Sequence, residues 1–137
     1  MITETKNQLI LTDEDFNELM HYIKNHEKQL MGQAGMTEWI GAIKHANILP
    51  AGDFPWDTIR LYSKVIIRDK MARVNYTYTL VLPAQSDHRK CRVSVFSSIG
   101  KALLGFKRGE DISWETPGKK RYFTVMAVSQ LHAEKLE

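Results

Sequence analysis

Apolar residues recur at three- and four-residue steps in the first third of the chain and at two-residue steps later. Phe16, Leu19, Met20, Ile23 and Leu30 mark one face of a helix. Thr12 stands where an N-cap belongs, and Asp13, Glu14 and Asp15 follow it, at the helix end that favours carboxylates. The pattern predicts a helix from about 13 to 31, roughly 28 Å long at 1.5 Å per residue, with His26 and Glu27 interrupting its apolar face. Gly32 and Gly35 break it. Met36, Trp39, Ile40, Ile43 and Ala46 make a second stripe, which Pro50 ends. Residues 1–50 therefore read as a short antiparallel helical hairpin, and residues 51–57, AGDFPWD, as a connector.

From residue 58 the period is two. Leu61, Ser63, Val65 and Ile67 predict one strand, and Val74–Leu82, rich in β-branched and aromatic residues, a second. Arg68–Met71 reads as the turn between them, and residues 91–96 as a third strand. Ser97 or Ser98 then caps a brief helix, SIGKALL, closed by Gly105. Asp111–Glu115 and Arg121–Val128 are the last two strands. Thr116-Pro-Gly-Lys119 joins them with the central residues of a type II turn. The class predicted is α+β: the helical hairpin, then a domain over residues 58–137 with a meander of about five antiparallel strands and one short helix.

With 43% hydrophobic and 26% charged residues, the chain has an ordinary globular composition. No apolar run approaches the ~20 residues needed to cross a bilayer, and MITETKNQLIL lacks the features of a signal peptide, so a cytoplasmic protein without membrane partners is expected. Cys91 is the only cysteine and has no internal disulfide partner. Set between Lys90 and Arg92, it reads as a half-buried structural thiol. Charge is unevenly spread: residues 1–50 hold four Lys/Arg against seven Asp/Glu, and residues 51–137 fifteen against nine. The positive half suits a solvated surface or an acidic partner. Without aromatics interleaved with Arg as a stacking platform, protein docking is favoured over direct nucleic-acid recognition.

The segment Val93-Ser-Val-Phe-Ser-Ser-Ile-Gly-Lys-Ala-Leu-Leu-Gly105, followed by Lys107-Arg-Gly109, Trp114 and Thr116-Pro-Gly118, resembles the C-terminal domain of the GreA/GreB transcription elongation factors. Phe54–Val65 resembles the entry into that domain's first strand, so the likeness spans about residues 54–128. The short hairpin is most similar to the Rnk-like members, named regulators of nucleoside diphosphate kinase. The resemblance implies an FKBP-like domain that docks at the rim of the RNA polymerase secondary channel. Its docking loop corresponds to Phe96, Ser97, Ser98, Ile99 and Gly100. Phe96 stands where the Gre factors often carry Asp, and Ser98 replaces their Pro, which gives up a fixed φ. Alternation leaves open whether Phe96 faces the core or solvent.

The Gre factors stimulate transcript cleavage through acidic residues at a long hairpin's tip that help hold Mg²⁺. Hard divalent cations need oxygen ligands, yet the tip here, Gln29–Met36, has no carboxylate; Glu27 and Glu38 are the nearest. His21 and His26, five apart, lie on different helix faces; His88 and His132 lack partners nearby in sequence, and Asp13–Asp15 is a capping cluster. No catalytic residue, metal or cofactor is expected. The function expected is a non-catalytic accessory factor that binds RNA polymerase. The alternative is a docking module for another protein, such as a nucleoside diphosphate kinase.

Overall fold

In the computed structural model, which describes residues 8–130, Thr12 caps the first helix, its Oγ1 accepting the Asp15 N–H at 3.1 Å. Helix α1 (Asp13–Asn25) buries Leu19 and Ile23, and α3 (Met36–Lys44) buries Met36, Trp39, Ile40 and Ile43. The single helix predicted over 13–31 is broken. His26 leaves helical geometry at φ −131°, ψ 25°, and a separate short helix, α2 (Glu27–Met31), follows. The break lies where the apolar face is interrupted. The His26 ring stacks on Tyr22 with centroids 4.0 Å apart, and its Nδ1 lies 3.0 Å from the Tyr22 carbonyl oxygen, which also accepts the His26 backbone N–H at 3.1 Å. Gly35, at φ +76°, supplies the left-handed turn before α3.

Two strands absent from the sequence expectation close this unit. Strand β1 (Ile10–Thr12) pairs in parallel with β2 (Asn47–Leu49), Ile10 opposite Asn47. Leu11 is fully buried, so the ladder joins the two feet of the hairpin around an apolar anchor. A 3₁₀ turn, Ala51–Asp53, leads to Phe54, where the first compact unit ends; the second begins at Pro55.

The second unit is a five-stranded sheet with the order β5-β4-β3-β7-β6. Its strands are β3 (Lys64–Asp69), β4 (Asn75–Val81), β5 (Arg92–Ser94), β6 (Asp111–Thr116) and β7 (Lys119–Ser129). The first strand starts later than the alternation suggested. Tyr62 has φ +73°, and the Arg60 N–H donates to Ser63 Oγ at 2.8 Å, making Arg60–Ser63 a turn. The expected antiparallel meander also fails at one edge: β5 runs parallel to β4, with Leu80 opposite Val93. Residues 82–91 contain two 3₁₀ turns, Pro83–Gln85 and His88–Lys90, and this connection is long enough to return the chain before it pairs. The 116–119 turn forms as predicted, with Gly118 at φ +77°.

Helix α4 (Ser98–Leu103) packs on the sheet. Leu103, Leu104, Ile112, Val65, Ile67, Leu80 and Phe123 are all buried in this unit. Each such side chain contributes roughly 1.5–3 kcal/mol of hydrophobic stabilisation. Trp114 stacks on Phe123 at 4.3 Å, nearly parallel, and both are buried in the sheet's core.

Candidate protein-docking site

The segment between β5 and α4 is built by two serines. β5 is held to β4 beyond its last paired residue, the Val95 N–H donating to the Val81 carbonyl at 2.9 Å. The chain then turns sharply at Ser94. Its Oγ accepts the Phe96 N–H at 2.9 Å, and its carbonyl accepts both the N–H and the hydroxyl of Ser97, at 3.0 and 2.6 Å. Ser97 Oγ in turn accepts the Gly100 N–H at 3.1 Å, capping α4. Of the two serines that the sequence offered as caps, Ser97 is the one used.

Gly100 makes this turn possible. A Cβ at this position would lie 2.0 Å from the Ser94 carbonyl oxygen and 2.7 Å from Val95 Cα. Both neighbours are backbone, so neither can swing away by a rotamer change. The first turn of α4 therefore rests directly on the end of β5.

Within the five candidate residues the structure separates support from surface. Phe96 is only 6% exposed, so it is a core residue and not an exposed anchor. Strand alternation could not decide this because β5 ends at Ser94 and the turn buries Val95 and Phe96 in succession. Gly100 is buried as well. Ser98 is exposed and Ser97 and Ile99 are partly exposed, so the accessible surface is a short polar ridge carrying one aliphatic side chain. Residues 96–100 bear no charged side chain, and Lys101 is the first charge after them. Sequence reasoning missed Ser94, whose carbonyl and hydroxyl organise the loop; the Ser-x-x-Ser spacing of Ser94 and Ser97 was the available signal.

At the hairpin tip, residues 29–36 are exposed except for Leu30 and Met36, and both Glu27 and Glu38 face solvent. Among the described residues there is no group of three or more His, Cys, Asp or Glu positioned to hold a metal ion, and no helix is long and apolar enough to cross a membrane. His132 lies outside the described residues. Cys91 is exposed at φ +56°, not half-buried, because it terminates the 88–90 turn ahead of β5.

The strongest perturbed acid lies elsewhere in the sheet. Asp69 is held down to about 2 by the Ala72 N–H, the Arg121 guanidinium and the Met71 N–H, against a smaller opposing effect of burial. Asp111 is also lowered, chiefly by its hydrogen bond from Lys70.

Comparison with known proteins places this geometry. The family model described as "Transcription elongation factor, GreA/GreB, C-term" matches residues 54–130. Transcription elongation factor GreA of Rhodospirillum rubrum is 29% identical over 114 residues, covering 83% of this chain and 73% of that protein. GreA of Syntrophus aciditrophicus is 30% identical over 83% of this chain and 71% of its own length. Among solved structures, the prokaryotic transcription elongation factor GreA/GreB from Nitrosomonas europaea aligns with a TM-score of 0.78 at 20% identity. It covers 88% of this chain and 98% of that one, so the fold is shared. The C-terminal unit thus supplies a sheet, a helix and a serine-built junction in a chain that belongs to the GreA/GreB transcription elongation factor family.

Proposed function

We propose that this protein is a cytoplasmic, non-catalytic transcription accessory factor. It binds RNA polymerase near the secondary channel through Ser97, Ser98 and Ile99, with Phe96 and Gly100 holding that ridge in place. Docking is supported by family membership together with a preformed junction: three hydrogen bonds converge on Ser94 and a fourth caps α4. A loop already fixed in one conformation gives up little entropy when it binds.

The observation that carries the non-cleaving half of the proposal is the tip. Residues 29–36 offer no carboxylate, while Glu27 and Glu38 sit on the helices to either side. Cleavage by two-metal chemistry requires oxygen ligands brought to the ion at the reacting phosphate. The factor accordingly acts by occupying a place on the polymerase. The test has two readouts. Binding to purified bacterial core polymerase at micromolar concentration is expected, weakened by Ser97→Ala and Ile99→Asp. Transcript cleavage in stalled complexes is expected to stay at the polymerase's intrinsic rate. Magnesium-dependent cleavage above that rate, abolished by Glu27→Gln or Glu38→Gln, would overturn the non-catalytic reading.

A further inference from the structure

The turn between β3 and β4 combines two properties that rarely coincide: it is tightly held, and it displays an apolar side chain to water. Asp69 organises it. One carboxylate oxygen accepts the Met71 and Ala72 N–H groups, both at 2.9 Å, and the other takes Arg121 Nη2 at 2.9 Å. Backbone bonds from Asp69 N–H to the Val74 carbonyl and from Arg73 N–H to the Asp69 carbonyl close the loop, and the Lys70 N–H ties it to Tyr122 on β7. At the apex, Met71 is 81% exposed, the most exposed of the large apolar side chains described; Val74 and Tyr122 nearby are 47% and 46% exposed.

The surroundings are cationic. Lys70 and Arg73 flank Met71 in the turn, and Lys119 and Lys120 begin β7 just before Arg121, which is bonded to Asp69. Of the carboxylates at this end of the sheet, Asp69 faces Arg121, Asp111 pairs with Lys70 at 2.7 Å, and Glu115 lies opposite Lys120 in the β6–β7 hairpin, which leaves Arg73 and Lys119 as the cations without a facing carboxylate among these. Across residues 55–130 the unit has fourteen Lys/Arg against six Asp/Glu, so this end contributes to a strong positive surplus.

We propose that the 69–74 turn is a second docking element, in which Met71 inserts into an apolar pocket rimmed by carboxylates on the partner protein. The inference rests on the polymerase reading for that partner's identity. Three observations select a protein as occupant. Methionine is enriched at protein interfaces, and its flexible thioether adapts to irregular pockets. The turn itself, Lys70–Val74, has no aromatic ring, and Tyr122 is the exposed ring beside it, with Lys120 Nζ 5.8 Å from its centroid, which falls short of the row of rings on which successive bases stack. The cations call for an acidic rim, which gains on-rate and register from complementary charge. The fixed backbone means that the ordering cost of presenting Met71 is met during folding.

The experiment measures the affinity of the full chain for purified bacterial core RNA polymerase, comparing wild type with Met71→Ser, Arg73→Glu and Lys119→Glu. Met71 is exposed, so Met71→Ser should leave the thermal melt unchanged while weakening binding about tenfold, as a central interface anchor does. Arg73→Glu and Lys119→Glu should weaken it further at low salt and less at high salt. Wild type that fails to bind polymerase removes the partner and overturns both proposals. Wild type that binds while all three variants bind equally well overturns the turn alone and leaves the α4 junction as the docking site. A parallel titration with a single-stranded RNA oligonucleotide guards the choice of occupant. If the charge variants lose RNA affinity in step with polymerase affinity and Met71→Ser loses neither, the surface belongs to nucleic acid and the proposal falls.

Discussion

Replacing Gly100 with alanine tests the close approach of α4 to β5, and Gly41 supplies an internal control. Both glycines lie inside helices, where alanine is intrinsically better by about 1 kcal/mol because it loses less backbone entropy on folding. At Gly41 nothing lies within 4 Å of the added methyl, so Gly41→Ala should stabilise the hairpin by about 0.5–1 kcal/mol. At Gly100 the methyl would meet the Ser94 oxygen at 2.0 Å, where ordinary contact is 3.4–4 Å. The helix must therefore move away from the strand by more than an ångström. Overpacking of this kind costs about 1–3 kcal/mol, and a backbone obstacle puts it at the upper end. After the propensity gain, a net loss of about 1–2 kcal/mol remains. Urea denaturation followed by circular dichroism and tryptophan fluorescence measures both. In a domain of this size each 1 kcal/mol shifts Tm by about 4–8 °C. Since the shift also displaces Ser97–Ile99, Gly100→Ala should reduce polymerase binding as well. Two alanine variants stabilised alike would refute the tight junction and the rigidity argued for the docking loop.

Ser97→Ala removes the α4 cap and should cost about 1 kcal/mol, with Ser97→Thr largely restoring the melt; equal melts for wild type and the alanine variant would show that the cap is idle. Asp69 has a folded-state pKa of about 2, below its ordinary 3.8. Its contribution is therefore fully present above about pH 4 and is lost as pH falls through about 2. A stability titration should show this acid limb, and Asp69→Asn should flatten it; an unchanged limb would contradict the bonds that the Asp69 carboxylate accepts from the Ala72 N–H, Arg121 and the Met71 N–H. Phe123→Ala deletes a ring that is 1% exposed and stacked on Trp114. It should cost about 3–5 kcal/mol by chemical denaturation, and a loss under 1 kcal/mol would place the core elsewhere.

Local pattern determined much of this protein. The Thr12 cap, the apolar faces that bury Leu19 and Ile23 in α1 and Met36, Trp39, Ile40 and Ile43 in α3, the alternation through β4 and β7, and the Pro-Gly turn at 117–118 follow from spacing, because each depends on neighbours within a few residues. The segment from Val93 to Gly105 together with Lys107-Arg-Gly109, Trp114 and Thr116-Pro-Gly118 pointed to the family. Tertiary structure alone decided the rest. Strands β1 and β2 have three residues each, too few to show a period, and exist because a distant partner completes their hydrogen bonds. The parallel return of β5 beside β4 depends on how residues 82–91 fold back, which no alternation encodes. The same holds for the site: the serines and glycine are visible in the sequence, but the burial of Phe96 and the 2.0 Å approach that penalises a side chain at Gly100 arise only where α4 lands on the sheet. Periodicity specifies which face of an element is apolar; packing determines what that face meets.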